Sequence, residues 1–215
     1  MLSALLLQHS LVIASPPQGT LMNRFLFLDR LSDIVTCSDG CRHELALQLR
    51  SRTVEEGTLV HAGGNSEQHL LLVLSGIARV FIHTDDGRDV TQYFARSEDF
   101  VVANLHTQRG NLERVEAVTE LCYGRIPMAE VDRLASEYPE LVRLHAALHN
   151  DRALRDRERR ERHVRCEPVD SYASFLKTHP GLETQVPTAH LASFLGLSTS
   201  QFMRARQKYR DRAIM

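Results

Sequence analysis

His145 and His149 stand at i and i+4, so on a helix both imidazoles share one face and can seat a zinc ion. A zinc site needs a third protein ligand, and none stands at motif spacing, so a surface pair is the expected outcome. Cys37 and Cys41 are also close, but two thiolates do not complete a four-thiolate cluster. With Cys122 and Cys166 far off, all four cysteines read as free thiols of a reducing compartment, and the cytoplasm is expected. No Ser/His/Asp set or carboxylate pair stands out, so no catalytic residue, metal or cofactor is assigned and the chain is not expected to be an enzyme.

The segment from Val186 to Arg210 carries chemistry of another kind. Pro187 and Thr188 can start a helix whose Leu191, Phe194 and Leu195 point inward, and Gly196 can end it in the left-handed conformation. Ser198 or Thr199 can then cap a second helix, the grammar of a helix-turn-helix. On that second helix Phe202 and Met203 are expected to be buried. Thr199, Ser200, Gln201, Arg204 and Lys208 share the outer face. Such a helix suits the major groove of double-stranded DNA, with Arg204 placed to read guanine, cations such as Arg206 and Lys208 near phosphates, and Thr188 a further DNA-binding candidate. From Thr199 onward, five cations oppose only Asp211, so a basic footprint exists although the 215-residue chain as a whole has a formal charge of −1.

The elements that must position this segment follow from period and punctuation. Residues 23–52 mix helical and short apolar spacings, broken at Ser38-Asp39-Gly40, and read as short helices leading into a sheet. Six β-rich runs follow, at 58–61, 69–74, 77–83, 90–94, 115–118 and 121–126, separated by glycine, asparagine and aspartate. Asp86-Gly87 marks a hairpin turn. A short helix is expected from Met128 to Ala135, and an uninterrupted one from Glu140 to Arg165 with an apolar stripe of Leu141, Leu144 and Leu148. Its charged second half, from Arg155 to Arg162, suits a solvated face laced with i,i+4 ion pairs, or a polar dimer seam. Pro168 opens another helix, with Tyr172, Phe175 and Leu176 inward.

At the other end, Leu2 to Ile13 is apolar but lacks a preceding cation and is interrupted by Gln8, His9 and Ser10, which argues against an export signal. It is too short to cross a bilayer, and no membrane partner is expected; Met22 is an alternative start.

Taken in order, these motifs resemble the Crp/Fnr-type transcription regulators. The stretch from Val186 to Ser198 is similar to the segment in which that family, especially short Bacteroidetes-like members, presents its DNA-binding helices. Residues 52–59 and 71–80 resemble the start and glycine-marked centre of a cyclic-nucleotide-binding β-roll. Residues 85–89, 98–100 and 137–141 extend the likeness, so that it covers about Asn23 to Lys208. The resemblance implies an α+β fold: an antiparallel β-roll like the cyclic-nucleotide-binding jelly roll, a long dimerisation helix and a C-terminal helix-turn-helix. The implied division is 1–22 as an N-terminal extension, 23–136 as the sensor, 137–165 as the dimerisation helix and 166–215 as the DNA-binding part. It also implies a homodimer, with Leu141, Leu144 and Leu148 at its interface.

Two departures bear on function. Where the family carries a phosphate-binding cassette, this chain has Val102, Ala103 and Asn104, then Arg109, Asn111, Leu112 and Arg114. A cyclic phosphate needs backbone N–H groups and a cation, so cyclic AMP is not expected, and these residues line at most a degenerate pocket for an unknown effector. A β-hairpin wing after the recognition helix is also not expected, and without it fewer DNA backbone contacts are expected. The leading expectation is a homodimeric DNA-binding regulator. The alternative is a ligand-binding or protein-interaction module of the same fold without effective DNA binding.

Overall fold

The computed structural model describes residues 18–63, 67–103, 113–165 and 167–214. Two helices come first, α1 (Gln18–Ile34) and α2 (Asp39–Gln48). The break expected at 38–40 is a helix start: the Ser38 side chain caps α2 by accepting from the Cys41 amide. The chain then forms β1 (Arg50–Val54), β2 (Leu59–His61), β3 (His69–Ser75), β4 (Ala78–His83), β5 (Asp89–Ala95), β6 (Phe100–Val101), β7 (Glu113–Ala117) and β8 (Leu121–Pro127). Helices α3 (Met128–Ala135), α4 (Glu140–Arg165), α5 (Pro168–Thr178), α6 (Thr188–Phe194) and α7 (Thr199–Ile214) follow, with a 3-10 turn at Leu182–Thr184.

The strands form two four-stranded antiparallel sheets in the orders β1-β8-β3-β6 and β2-β7-β4-β5. All six expected strands are present within a residue or two. The two that sequence periodicity misses, β1 and β6, are the edges of one sheet. β1 reads Arg-Ser-Arg-Thr-Val and buries no side chain fully, and β6 has only two residues, so neither carries an apolar alternation. Gly76 joins β3 to β4 at φ 88°, and a Cβ there would lie 2.1 Å from the Glu120 carbonyl oxygen, which no side chain can satisfy.

Three apolar clusters hold the fold. Leu71, Val73, Val80, Tyr93, Val115, Leu121 and Tyr123 fill the space between the sheets. Phe27 and Leu31 of α1, Leu45 of α2 and Val131 and Leu134 of α3 cover Leu70, Leu72 and Ile126 on the outside of one sheet. The third cluster joins Phe175, Leu191, Phe194 and Phe202 of the C-terminal helices to Ile77, Phe94 and Val118 of the other sheet.

The leucine stripe of α4 corrects one expectation. Leu141 and Leu144 are fully buried and Leu148 nearly so, all within the cluster that contains α1, α2 and α3 of the same chain. The stripe is therefore core, and these three residues are not presented to a second copy. Among the described side chains, the apolar residues that α4 leaves on its outside are Val142 and Leu154, each 59% exposed, with Ala146 and Ala153 exposed as well. Arg155–Asp151, Arg152–Asp156 and Arg157–Glu161 are i,i+4 ion pairs along the charged half.

Candidate nucleic-acid interface

Residues 188–214 form two helices joined by a tight turn. The turn is a full C-terminal cap: Leu197 N donates to Ala192 O at 2.9 Å and Gly196 N to Ser193 O at 3.1 Å, with Gly196 at φ 70°. The next helix starts with a reciprocal capping box. Ser198 Oγ accepts from Gln201 N at 3.3 Å, while Gln201 Oε1 accepts from Ser198 N at 2.8 Å. Two opposed caps within six residues fix the angle between α6 and α7.

On α7, Phe202 and Ala205 are buried, and the Phe202 and Tyr172 rings meet edge to face at 5.5 Å. Thr199, Ser200, Gln201, Arg204 and Lys208 are all exposed, as the helical spacing predicts. Arg204 Nε donates to the Ser200 carbonyl at 3.3 Å, which lays its stem along that face. Thr188 is half-buried at the start of α6. Two expectations change. Met203 is 48% exposed and not core, because the inward line runs through Phe202, Ala205 and Tyr209. Arg206 turns away from the outer face and pairs with Glu183 at 2.8 Å, and Glu183 also accepts from the Tyr172 hydroxyl at 2.6 Å.

The helix pair is fastened to the second sheet by contacts with no sequence signature. Ser193 Oγ donates to Asp89 O at 2.8 Å and accepts from Thr91 N at 3.0 Å. The Phe94 and Phe194 rings lie 5.4 Å apart. Beneath them Arg79, only 2% exposed, pairs with Glu116 at 2.8 Å and donates to Thr91 Oγ1 at 2.8 Å. Such a cation is tolerated inside only because it is paired and hydrogen-bonded. His190 faces the same group at 3.8 Å from Glu116, and burial together with Arg79 pulls its pKa down.

Of the effector residues, three are described. Val102 and Ala103 are buried but belong to different clusters, and Arg114 is half-buried on β7. Asn104, Arg109, Asn111 and Leu112 lie outside the described residues. Against the roll stand instead two arginines of α4. Arg152 pairs with the buried Glu113 of β7, and Arg155 with Asp99 at 3.4 Å. Their guanidinium carbons sit 5.3 and 4.9 Å from the Tyr93 ring centroid. Burial pushes the Tyr93 hydroxyl up to about 12. Nη1 of Arg152 is buried with no hydrogen-bond partner among the described residues. A basic helix lined with acids in alternation gave no hint of which arginines turn inward.

His145 pairs with Asp132 at 3.0 Å, and no cluster of three metal ligands occurs among the described residues. Cys37, Cys41 and Cys122 are free thiols; Cys166 lies outside the described residues. No described helix is long and apolar enough to cross a membrane.

No protein-family model and no curated protein matches the chain. Solved structures do. FixK2 from Bradyrhizobium japonicum aligns with a TM-score of 0.68 at 14% identity, covering 77% of this chain and 86% of that one. A transcriptional regulator assigned to the crp/fnr family from Eubacterium rectale aligns with a TM-score of 0.69 at 20% identity, covering 81% and 84%. The c-di-GMP-responsive global regulator CLP of Xanthomonas campestris aligns with a TM-score of 0.63 at 19% identity, covering 82% and 93%. The chain thus has the fold of Crp/Fnr transcriptional regulators along most of its length.

Proposed function

We propose that this chain is a Crp/Fnr-like transcriptional regulator that binds double-stranded DNA as a homodimer and acts in the cytoplasm, not as an enzyme. The observation that carries the reading is the doubly capped α6–turn–α7 unit, whose outer face offers Thr199, Ser200, Gln201, Arg204 and Lys208 together. Capping directs the N-terminal turns of α7 outward, where side chains reach base edges while cations meet phosphates. Of the cations first considered, Arg204 and Lys208 suit this task; Arg206 is engaged by Glu183. In this reading residues 23–136 sense, 137–165 link and dimerise, and 166–215 read DNA.

The dimer forms through the outer face of α4, around Val142, Ala146, Ala153 and Leu154, since the leucine stripe is consumed by the core. The effector is of unknown identity and is not cyclic AMP, because Ala103, Asn111 and Leu112 stand where its ribose and phosphate need charged and hydrogen-bonding partners. Titration calorimetry is expected to show no saturable heat with cyclic AMP at micromolar concentrations, where binding is worth about −8 kcal/mol.

Selection from a random duplex pool tests the whole. The expected result is an enriched two-fold repeat with half-sites about one helical turn apart. Recovery of no enriched sequence would sink DNA recognition by α7.

A further inference from the structure

Between the start of α7 and the β4–β5 hairpin runs an open groove of about 720 Å³, lined among others by Arg88, Asp89, Ser193, Ser198, Thr199 and Gln201. Its two walls are joined, because Ser193 on α6 is hydrogen-bonded to the backbone of Asp89 and Thr91 on β5. The hairpin therefore keeps its place beside the end of α7 that the proposed function turns toward DNA. A duplex that takes the first turns of α7 into its major groove must carry one flanking phosphate strand past this hairpin.

The hairpin is acidic where a DNA-binding surface is ordinarily basic. Asp85, Asp86 and Asp89 oppose the single cation Arg88 across residues 85–89, leaving the turn at −2. Arg88 lines the groove with its charge matched by Asp86, to whose Oδ2 its Nε donates at 2.7 Å. That bond and one from Thr84 hold the exposed Asp86 carboxyl down at about 2, so it is ionised at every physiological pH. Asp89 accepts from or pairs with His83 at 2.8 Å. The Asp85 and Asp86 side chains lie on the exposed surface of the turn.

We propose that the β4–β5 turn is part of the DNA-facing surface and works as a counterweight to the recognition helix: Asp85 and Asp86, exposed at the tip of the hairpin whose Arg88 and Asp89 line the groove, repel a phosphate strand that passes the turn and so lower affinity for all sequences alike. The inference rests on the reading of α7 as a DNA-binding helix. Repulsion of this kind acts over about 10 Å at 0.1 M salt and fades as salt rises. It leaves base preference untouched, because phosphates carry no sequence information.

The test compares the full chain with Asp85→Asn/Asp86→Asn by fluorescence anisotropy on a labelled mixed-sequence duplex, at about 50 and 200 mM salt. Asp132→Asn on α3 combined with Glu137→Gln just after it makes the same change in net charge outside the groove, and serves as the control. Asp85→Asn alone keeps the Asp86–Arg88 pair, so a disturbed turn is told apart from a removed charge. The turn variant is expected to bind about three- to tenfold more tightly than the parent at low salt, with less than about a twofold change in the control and a smaller gap at high salt. Asp85→Asn alone is expected to fall between the two. Equal gains from turn and control variants, or weaker binding by the turn variants, would overturn the counterweight while leaving DNA binding in place. Absence of binding by the parent and every variant at low salt would remove both.

Discussion

Arg152 on α4 and Glu113 on β7 are ion-paired, with side chains only 11% and 2% exposed, across 39 residues of sequence. The pair ties the long helix to the sheet that also carries α6, so the setting of α4 and the setting of the C-terminal helices share one support. Breaking a buried pair leaves one charge without a partner, whereas replacing both with apolar groups does not. Glu113→Ala is expected to cost about 3–5 kcal/mol in urea denaturation, and Glu113→Leu/Arg152→Met to recover most of it. If the single variant is as stable as the parent, the pair does not hold the helix.

Leu144→Asp should unfold the chain and not merely separate two copies, because Leu144 lies wholly within the cluster of α1, α2 and α3. Val142→Asp and Leu154→Asp alter exposed positions and should leave a folded chain that sediments as a monomer. A folded Val142→Asp/Leu154→Asp variant that keeps the parent's sedimentation would place the dimer contact elsewhere.

Arg204→Ala and Lys208→Ala, both at exposed positions of α7, should fail in different ways. Loss of a base contact at Arg204 is expected to cost about 1–3 kcal/mol on the selected sequence and to relax preference at one position. Loss of a phosphate contact at Lys208 should weaken all duplexes similarly and lower the slope of log affinity against log salt by nearly one unit. Equal affinity of parent and Arg204→Ala on the selected sequence would take Arg204 out of base reading.

His190 gives the contact between α6 and the roll a pH dependence. Burial, then the neighbouring Arg79, lowers its pKa from 6.5 in the folded chain, against the opposing pull of Glu116 and Asp89. As pH falls below 6.5 the unfolded chain therefore takes up a proton that the folded chain does not, and stability is lost progressively toward the lower folded value. His190→Gln should flatten part of that loss between about pH 7 and 5. Some slope should persist from His69, whose pKa burial lowers in the same direction. An unchanged profile in His190→Gln would show that this ring does not sense the proton.

The sequence by itself determined the elements whose causes are local. Proline at 168 and 187, glycine at 196 and the Ser198 cap set the ends of the C-terminal helices, since each acts on the backbone within a few residues of itself. The outer face of α7 followed from the same helical period. What only the tertiary structure decided is which partner each face takes. Leucines at 141, 144 and 148 make an apolar stripe in any helix, but whether a second copy or the chain's own helices cover it depends on the packing of the whole fold, which brings α1 back from more than a hundred residues away. Arg152 is one of many arginines in α4 until Glu113 arrives beside it, and Ser193 is an ordinary helical serine until β5 presents Asp89 and Thr91. Local preferences specify a backbone, but the identity of a buried contact is settled by the packing of the whole chain, because only there is water removed from both partners at once.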